Sequence, residues 1–127
     1  MHRRWWYAIA LIGALVGCRR EPVPAALIHV WRTDAPEYRD RHLEIREDLV
    51  VFGTGYGTSD VYAIVDVDAE PPGAKGRRYT LHYRTDDGAR LQLRVILSPG
   101  TPESLRIEHT DEVWLPDPAS AAASKGV

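Results

Sequence analysis

The sequence contains one cysteine, Cys18, among its 127 residues. A single thiol cannot form a disulfide within the chain, so a disulfide-stabilised scaffold is excluded. Uninterrupted apolar segments are also short. The longest, residues 5–17, is about a dozen residues long and is followed closely by the charged residues 19–21. A transmembrane helix needs roughly 20 apolar residues, so this segment is too short to span a membrane.

The first eighteen residues have the order of parts of a signal peptide. Arg3 and Arg4 precede the apolar segment, whose length fits the roughly 7 to 15 residues of a signal-peptide core. The motif Leu15-Val16-Gly17-Cys18 resembles the lipobox of bacterial lipoproteins, in which the cysteine is joined to diacylglycerol and the chain is cut just before it. The resemblance implies a signal peptide at 1–17 and a lipidated Cys18. An ordinary secretory signal is the alternative, but it would need a pair of small residues before the cut.

Lipidation implies that the mature domain is anchored at the cell envelope and does not span the membrane. Several acyl chains, each contributing about 0.8 kcal/mol per buried CH₂, hold a protein stably. The residue after the cysteine is Arg19, whereas an Asp there resembles an inner-membrane retention signal. We therefore expect the outer membrane, with membrane lipid as one partner and the domain facing the periplasm or the cell surface.

The mature chain has the size of one domain and an acidic balance. Removing residues 1–17 from 127 leaves 110, which suits a single domain. Loss of Arg3 and Arg4 leaves 14 basic against 18 acidic residues, or about −4, which argues against a nucleic-acid partner. We predict a lipidated cysteine and tether at 18–26, one β domain at 27–115, and a disordered tail at 116–127.

Short segments rich in β-branched or aromatic residues alternate with turn signals through the domain, as is typical of β-strands. Residues 35–40 predict one helical turn, because Asp34 is a capping residue type and Pro36 suits the first turn. We predict an all-β fold, a seven- or eight-stranded antiparallel meander that forms a small barrel or a sandwich. The predicted strands are 27–32, 43–46, 49–52, 61–67, 78–84, 91–97 and 105–109, with 113–115 as the eighth.

Two hairpins can be placed in register from the alternation of apolar and polar residues. A three-residue loop at 86–88 puts Tyr83 opposite Leu91, and it puts Gly88 at the left-handed position that a type I turn with a bulge requires. A two-residue loop at 47–48 joins the earlier pair of strands. The side chains predicted to fill the interior are Leu43, Ile45, Phe52, Tyr79, Leu81, Tyr83, Leu91, Leu93 and Val95.

Three aromatic residues are candidate ligand contacts. Tyr56 lies in the segment Gly53-Thr54-Gly55-Tyr56-Gly57, which lacks the pattern of a phosphate-binding loop and is better explained as a loop or bulged connection at the rim of a barrel. Trp31 and Trp114 lie near the first and last strands, which are neighbours in a closed meander. Strand count and order are similar to those of lipocalin-like small barrels, although the glycine expected two residues before the tryptophan is absent.

Other groupings lack the spacing that a chemical site requires. The acidic residues of segment 60–70 lack the glycine and distal glutamate of a calcium loop, so a solvated strand end is favoured over a cation site. The histidines show no zinc-binding spacing, and Ser59 is not in a nucleophile elbow. We predict no metal, no cofactor and no catalytic residue. These acidic residues and histidines are Asp60, Asp66, Asp68, Glu70, His29, His42, His82 and His109.

These observations together favour a binding role over catalysis. Arginines on the polar strand faces are explained by cross-strand ion pairs, with an anionic envelope polymer or lipid headgroup as the alternative ligand. We expect the domain to bind another envelope component, with protein preferred. A lipocalin-like binder of a small apolar or amphiphilic ligand is the first alternative. A small envelope enzyme using Asp60, His82 and His109 is the second.

Overall fold

The structure is a computed structural model that describes residues 22–119. The predicted signal peptide, Cys18 and most of the predicted tail lie outside the described residues. The described chain folds into eight strands: β1 (Val30–Arg32), β2 (Arg41–Ile45), β3 (Leu49–Gly55), β4 (Thr58–Ala69), β5 (Arg77–Arg84), β6 (Arg90–Ser98), β7 (Ser104–Ile107) and β8 (Leu115–Pro116). They form one antiparallel sheet in the order β7-β6-β5-β4-β3-β2-β1-β8. The all-β prediction is confirmed.

The sheet curls into a nearly closed barrel. Trp31 of β1 pairs with Pro116 of β8, so the first and last strands are neighbours as predicted. Just before β8, Trp114 and Leu105 exchange two backbone hydrogen bonds of 2.8 Å each across the seam between β7 and β8. This bridge brings the two edges of the sheet together, so the barrel alternative describes the fold better than the sandwich.

Both predicted hairpin registers are confirmed. Tyr83 lies opposite Leu91 in the β5–β6 pair, and Gly88 has a φ of 87°, the left-handed conformation that the turn requires. In the β2–β3 pair, Ile45 lies opposite Val50, which leaves a tight turn at 47–48. Hydrophobic alternation and turn length therefore determine these registers together.

The ends of the ordered domain differ from the predicted bounds. Val23 is buried in the core, and a 3₁₀ turn at Ala25–Leu27 follows it, so the domain begins before residue 27. Asp117 donates its N–H to the carbonyl of Val30 at 2.7 Å, so the ordered chain extends past residue 115. Both segments are ordered because their side chains and backbone groups contact the barrel.

The helical turn near 35–40 is present as a 3₁₀ turn at Pro36–Tyr38. Its N-cap is Ala35 and not Asp34, and no side chain caps it. Pro36 occupies the first turn as predicted, because its fixed φ suits that position.

The barrel interior is filled by fifteen buried apolar side chains. Of the nine predicted, Phe52 and Tyr83 are half-buried, and Leu91 is 45% exposed, which contradicts its prediction. Leu91 has the predicted register, but β7 pairs with β6 only from Val95 onward, so among residues 22–119 this part of β6 has β5 as its strand neighbour on one side only. The buried set is Val23, Leu27, Trp31, Leu43, Ile45, Val50, Ile64, Val67, Tyr79, Leu81, Leu93, Val95, Leu97, Leu105 and Trp114.

Antiparallel strands place successive connections at alternate ends of the barrel. The entry end holds the beginning of the described chain, residues 22–29, together with the connections at 46–48, 70–76 and 99–103. The far end holds segment 33–40 and the turns at 56–57 and 85–89. The two ends are built differently, and the candidate site lies at the far one.

Candidate functional site

The β3–β4 hairpin ends in a two-residue turn, Tyr56-Gly57. Their φ angles are 55° and 75°, and positive φ at both central residues is the mark of a type I′ turn. The β3–β4 register shifts between Gly53 and Gly55, so the strand carries a bulge. The glycine-rich segment is therefore a bulged hairpin connection, as the sequence indicates.

Tyr56 is fully exposed at the tip of this hairpin. The left-handed conformation costs an ordinary residue about 1–2 kcal/mol relative to the right-handed one, and glycine or asparagine pays less. Tyr56 offsets none of that cost by packing against the domain.

Gly53 of β3 lies beneath a histidine side chain on the outer face of the sheet. His42 lies opposite Gly53 in the β2–β3 pair. A Cβ atom built on Gly53 would meet the imidazole, so the ring lies directly over the glycine backbone. His42 therefore fills the space of the missing side chain.

Strand β4 is longer than either of its neighbours, and its two halves pair with different strands. Residues 58–63 pair with β3, whereas the ladder to β5 begins only at Ala63, opposite Arg84. Among the described residues, segment 58–62 thus has a strand neighbour on one side only. We call this segment the free edge of β4.

The pairing geometry shows which backbone groups face outward along the free edge. Ile64 donates its N–H to the carbonyl of Asp48, on the β3 side, at 2.9 Å. Because the N–H and C=O groups of successive residues alternate in direction along a strand, Tyr62 also points toward β3. Ser59 and Val61 then direct their N–H and C=O groups to the unpaired side.

Beside the free edge lies an aromatic cluster on the inner face of the barrel. The ring centroids of Tyr62 and Tyr83 are 5.3 Å apart, and Phe52 lies 6.0 Å from Tyr62 and 5.6 Å from Tyr83. All three are half-buried, and the exposed Leu91 lies opposite Tyr83. We call Phe52, Tyr62, Tyr83 and Leu91 the aromatic mouth. Burial raises the pKa of the Tyr83 phenol above its ordinary value, and Tyr62 adds to the rise.

The two candidate tryptophans belong to the packed structure. Trp31 is fully buried, and its indole N–H donates to the carbonyl of Leu27 at 3.0 Å. Trp114 is 4% exposed, and its ring centroid lies 5.4 Å from that of Tyr38. Neither presents a surface to a ligand in this structure, which leaves Tyr56 as the exposed one of the three sequence candidates.

The structure brings Asp66, Asp68 and His82 together on the outer face of β4 and β5, with ligand atoms within 4.8 Å of one another. His82 Nε2 lies 2.7 Å from Asp68 Oδ2, and Asp66 accepts the N–H of Val67 at 2.9 Å. Oxygen and imidazole ligands suit a divalent cation, although exposed acidic groups of this kind are common without one. The group does not include Asp60 or His109, the other residues of the enzyme alternative.

Several arginines of the outer strand faces take part in ion pairs with acidic side chains. Arg94 lies 3.7 Å from Glu108 across the β6–β7 pair, and Arg46 lies 2.8 Å from Glu44 on the same side of the sheet. Two further pairs join Arg90 with Asp66 at 3.9 Å and Arg78 with Glu70 at 3.6 Å. These contacts favour the interpretation of a charged, solvated face over an anion-binding one.

Comparison with protein-family models, with curated proteins and with solved structures finds no match for this chain. Within residues 22–119, no helix is long and apolar enough to cross a bilayer. The candidate functional features are therefore those of the far end, namely Tyr56, the free edge of β4 and the aromatic mouth.

Proposed function

We propose that this chain is a lipid-anchored envelope protein whose β domain binds a protein partner through its far end. The observation that carries the proposal is the β3–β4 hairpin, which presents the fully exposed Tyr56 and a strand edge without a neighbour. The aromatic mouth lies beside that edge. Exposed aromatic residues and unpaired strand edges are features that bind proteins.

The expected anchor orients the domain. Three residues lie between Cys18 and Pro22, and the four residue-to-residue steps that join them reach roughly 14 Å at most when the chain is extended. Pro22 and Val23 lie at the entry end, beside Asp48. A lipidated Cys18 would hold the entry end near the bilayer, which leaves the far end directed away from the membrane and toward other envelope proteins.

The packing of the interior favours a protein partner over an enclosed small ligand. Fifteen buried side chains fill the barrel. The clefts of about 530 and 600 Å³ lie outside it, one at the entry end beside Val23 and the other along β1 and β8 beside Leu115. A lipocalin-like binder needs a cavity inside the barrel.

Site-specific photocrosslinking in the native envelope tests the proposal. A photoreactive phenylalanine analogue replaces Tyr56 in one variant of the full-length protein and Ala74 in the control. Ala74 is an exposed residue at the entry end. We expect a discrete protein adduct from position 56, and lipid adducts or none from position 74.

Equal protein adducts from both positions, or none from position 56, would contradict a far-end interface. Replacing Cys18 with Ala tests the anchor separately. The variant should leave the membrane fraction, and persistence there would show that the lipoprotein assignment is wrong.

A further inference from the structure

We propose that the partner supplies an extended strand that pairs with the free edge of β4 and lays alternate side chains over the aromatic mouth. This inference rests on the proposed function and names its binding mode. Ser59 and Val61 direct two N–H and two C=O groups to the unpaired side. An added strand of about five residues satisfies all four groups with a regular ladder.

The side-chain pattern of the free edge determines what the added strand must carry. Tyr62 and Asp60 point to the inner face, since they lie opposite Val50 and Phe52 of β3. Residues directly opposite one another on paired strands share a face. The partner residue opposite Tyr62 therefore meets the aromatic mouth and should be apolar, and the one opposite Asp60 should be basic.

The neighbouring turn adds negative charge at the same place. Arg84 is the last β5 residue paired with β4, and the turn that follows contains Asp86 and Asp87. The side chain of Thr85 and the backbone of Ala89 donate hydrogen bonds that lower the pKa of Asp87, so this carboxylate stays ionised. Because Arg84 and Arg90 also lie opposite each other at this end of β5 and β6, Asp60 is the group that requires a basic residue between the two apolar residues of the added strand.

A second copy of the chain fits the edge less well than a different partner. The antiparallel register that pairs the whole of segment 58–62 with itself puts Asp60 opposite Asp60. Like charges directly opposite one another destabilise a strand pair. The occupant is therefore a basic-apolar extended segment of another protein.

A synthetic peptide of matching pattern tests the binding mode. The probe is acetyl-Leu-Thr-Arg-Thr-Leu-amide, whose symmetric sequence presents the same side chains in either strand direction. It is titrated into ¹⁵N-labelled protein and followed by NMR. We expect saturable shifts at the Ser59 and Val61 amides, slowed hydrogen exchange there, and several-fold weaker binding when Arg is replaced by Glu.

Two substitutions at one position separate the main-chain contact from the side-chain contact. Val61→Pro removes an outward N–H and leaves the groups that pair with β3, and an edge strand tolerates proline. Val61→Thr keeps the N–H and the β-branched shape. We expect Val61→Pro to weaken peptide binding about tenfold, the effect of losing one hydrogen bond, and Val61→Thr to change it little.

Absence of saturable shifts up to about 5 mM peptide, the range in which short peptides bind weakly, would overturn strand addition. Equal affinities of the two Val61 variants would overturn it as well. Concentration-dependent dimerisation that involves the same amides would also overturn the inference, because the strand that pairs with the free edge would then come from a second copy of this chain. None of these results bears on the adduct at position 56. The proposed function can therefore survive the loss of this inference, and peptide binding without an adduct would reject the proposed function instead.

Discussion

The entry end and the far end of this barrel use the same strands and are finished in opposite ways. At the entry end the chain folds over the opening, with Val23 and Leu27 buried and the Leu27 carbonyl bonded to the Trp31 indole. At the far end a half-buried aromatic cluster lies beside a strand edge without a neighbour. The comparison indicates that buried apolar side chains close the end near the expected anchor, whereas the aromatic cluster is only half-buried at the end where we propose that a partner binds.

The largest expected effect comes from opening the entry end. Leu27→Ala removes a fully buried side chain, and a truncation of this kind costs about 2–5 kcal/mol in the free energy of unfolding. Leu91→Ala is the matched far-end control, and at 45% exposure it should cost less than about 1 kcal/mol. Urea unfolding measures both. Similar losses for the two variants would contradict the difference between the ends.

A smaller effect isolates the hydrogen bond at the entry end. Trp31→Phe keeps an aromatic side chain in the core and removes the N–H that donates to the Leu27 carbonyl. The carbonyl keeps the backbone N–H of His29 as a partner at 3.0 Å, so we expect the loss of this one hydrogen bond to cost about 0.5–1.5 kcal/mol. Thermal unfolding measures the change, and a stability equal to that of the unmodified protein would show that the bond contributes nothing.

Substitution at the hairpin tip should separate stability from binding. Tyr56→Asn produces the Asn-Gly pair that type I′ turns prefer, so we expect the free energy of unfolding to rise by about 0.5–1 kcal/mol. Since we propose that Tyr56 contacts the partner, we expect the same substitution to weaken partner binding. Unfolding curves measure the change in stability, and the yield of a crosslink placed on the free edge measures the change in binding. A drop in stability would contradict the turn argument.

The smallest effect is a pH dependence of the aromatic mouth. Because burial raises the pKa of Tyr83 in the folded state, the fold keeps its full stability below the ordinary tyrosine pKa of about 10, where the phenol is protonated in both the folded and the unfolded chain. Stability is lost as the pH rises from that value through the folded-state pKa. Tyr83→Phe should reduce the loss of stability at alkaline pH, which is measured from unfolding midpoints between about pH 9 and 11. If the slope of stability against pH is the same in Tyr83→Phe, ionisation of Tyr83 does not cause the alkaline decline.

The hairpins of this fold could be predicted from the sequence because each depends on local information. The positions of Gly88 and of the alternating apolar residues determine how β5 pairs with β6, and the same reasoning places β2 against β3. The sequence does not distinguish a barrel from a sandwich, because closure of the barrel by Trp114 and Leu105 depends on contacts between distant strands.

The free edge could not be predicted, because it arises from a displacement between strands. The β4–β5 register shifts between Ile64 and Asp66, and β4 begins at Thr58, three residues before the predicted start of that strand at Val61. A hydrophobic pattern assigns faces to residues, but it does not show where a neighbouring strand stops. Tyr56 was identified from its rim position alone, and its full exposure at positive φ is information that only the structure provides.

Hydrogen exchange in the native envelope tests the central claim most directly, because it reports on the far end without a chosen probe. The amides of segment 58–62 are compared between intact envelopes and the purified full-length protein, with the entry-end loop 70–76 as the reference. Occupancy of the free edge by a partner predicts slower exchange at Ser59 and Val61 in envelopes, with little change in the reference loop. Equal exchange rates of segment 58–62 in both preparations would contradict a partner at this edge.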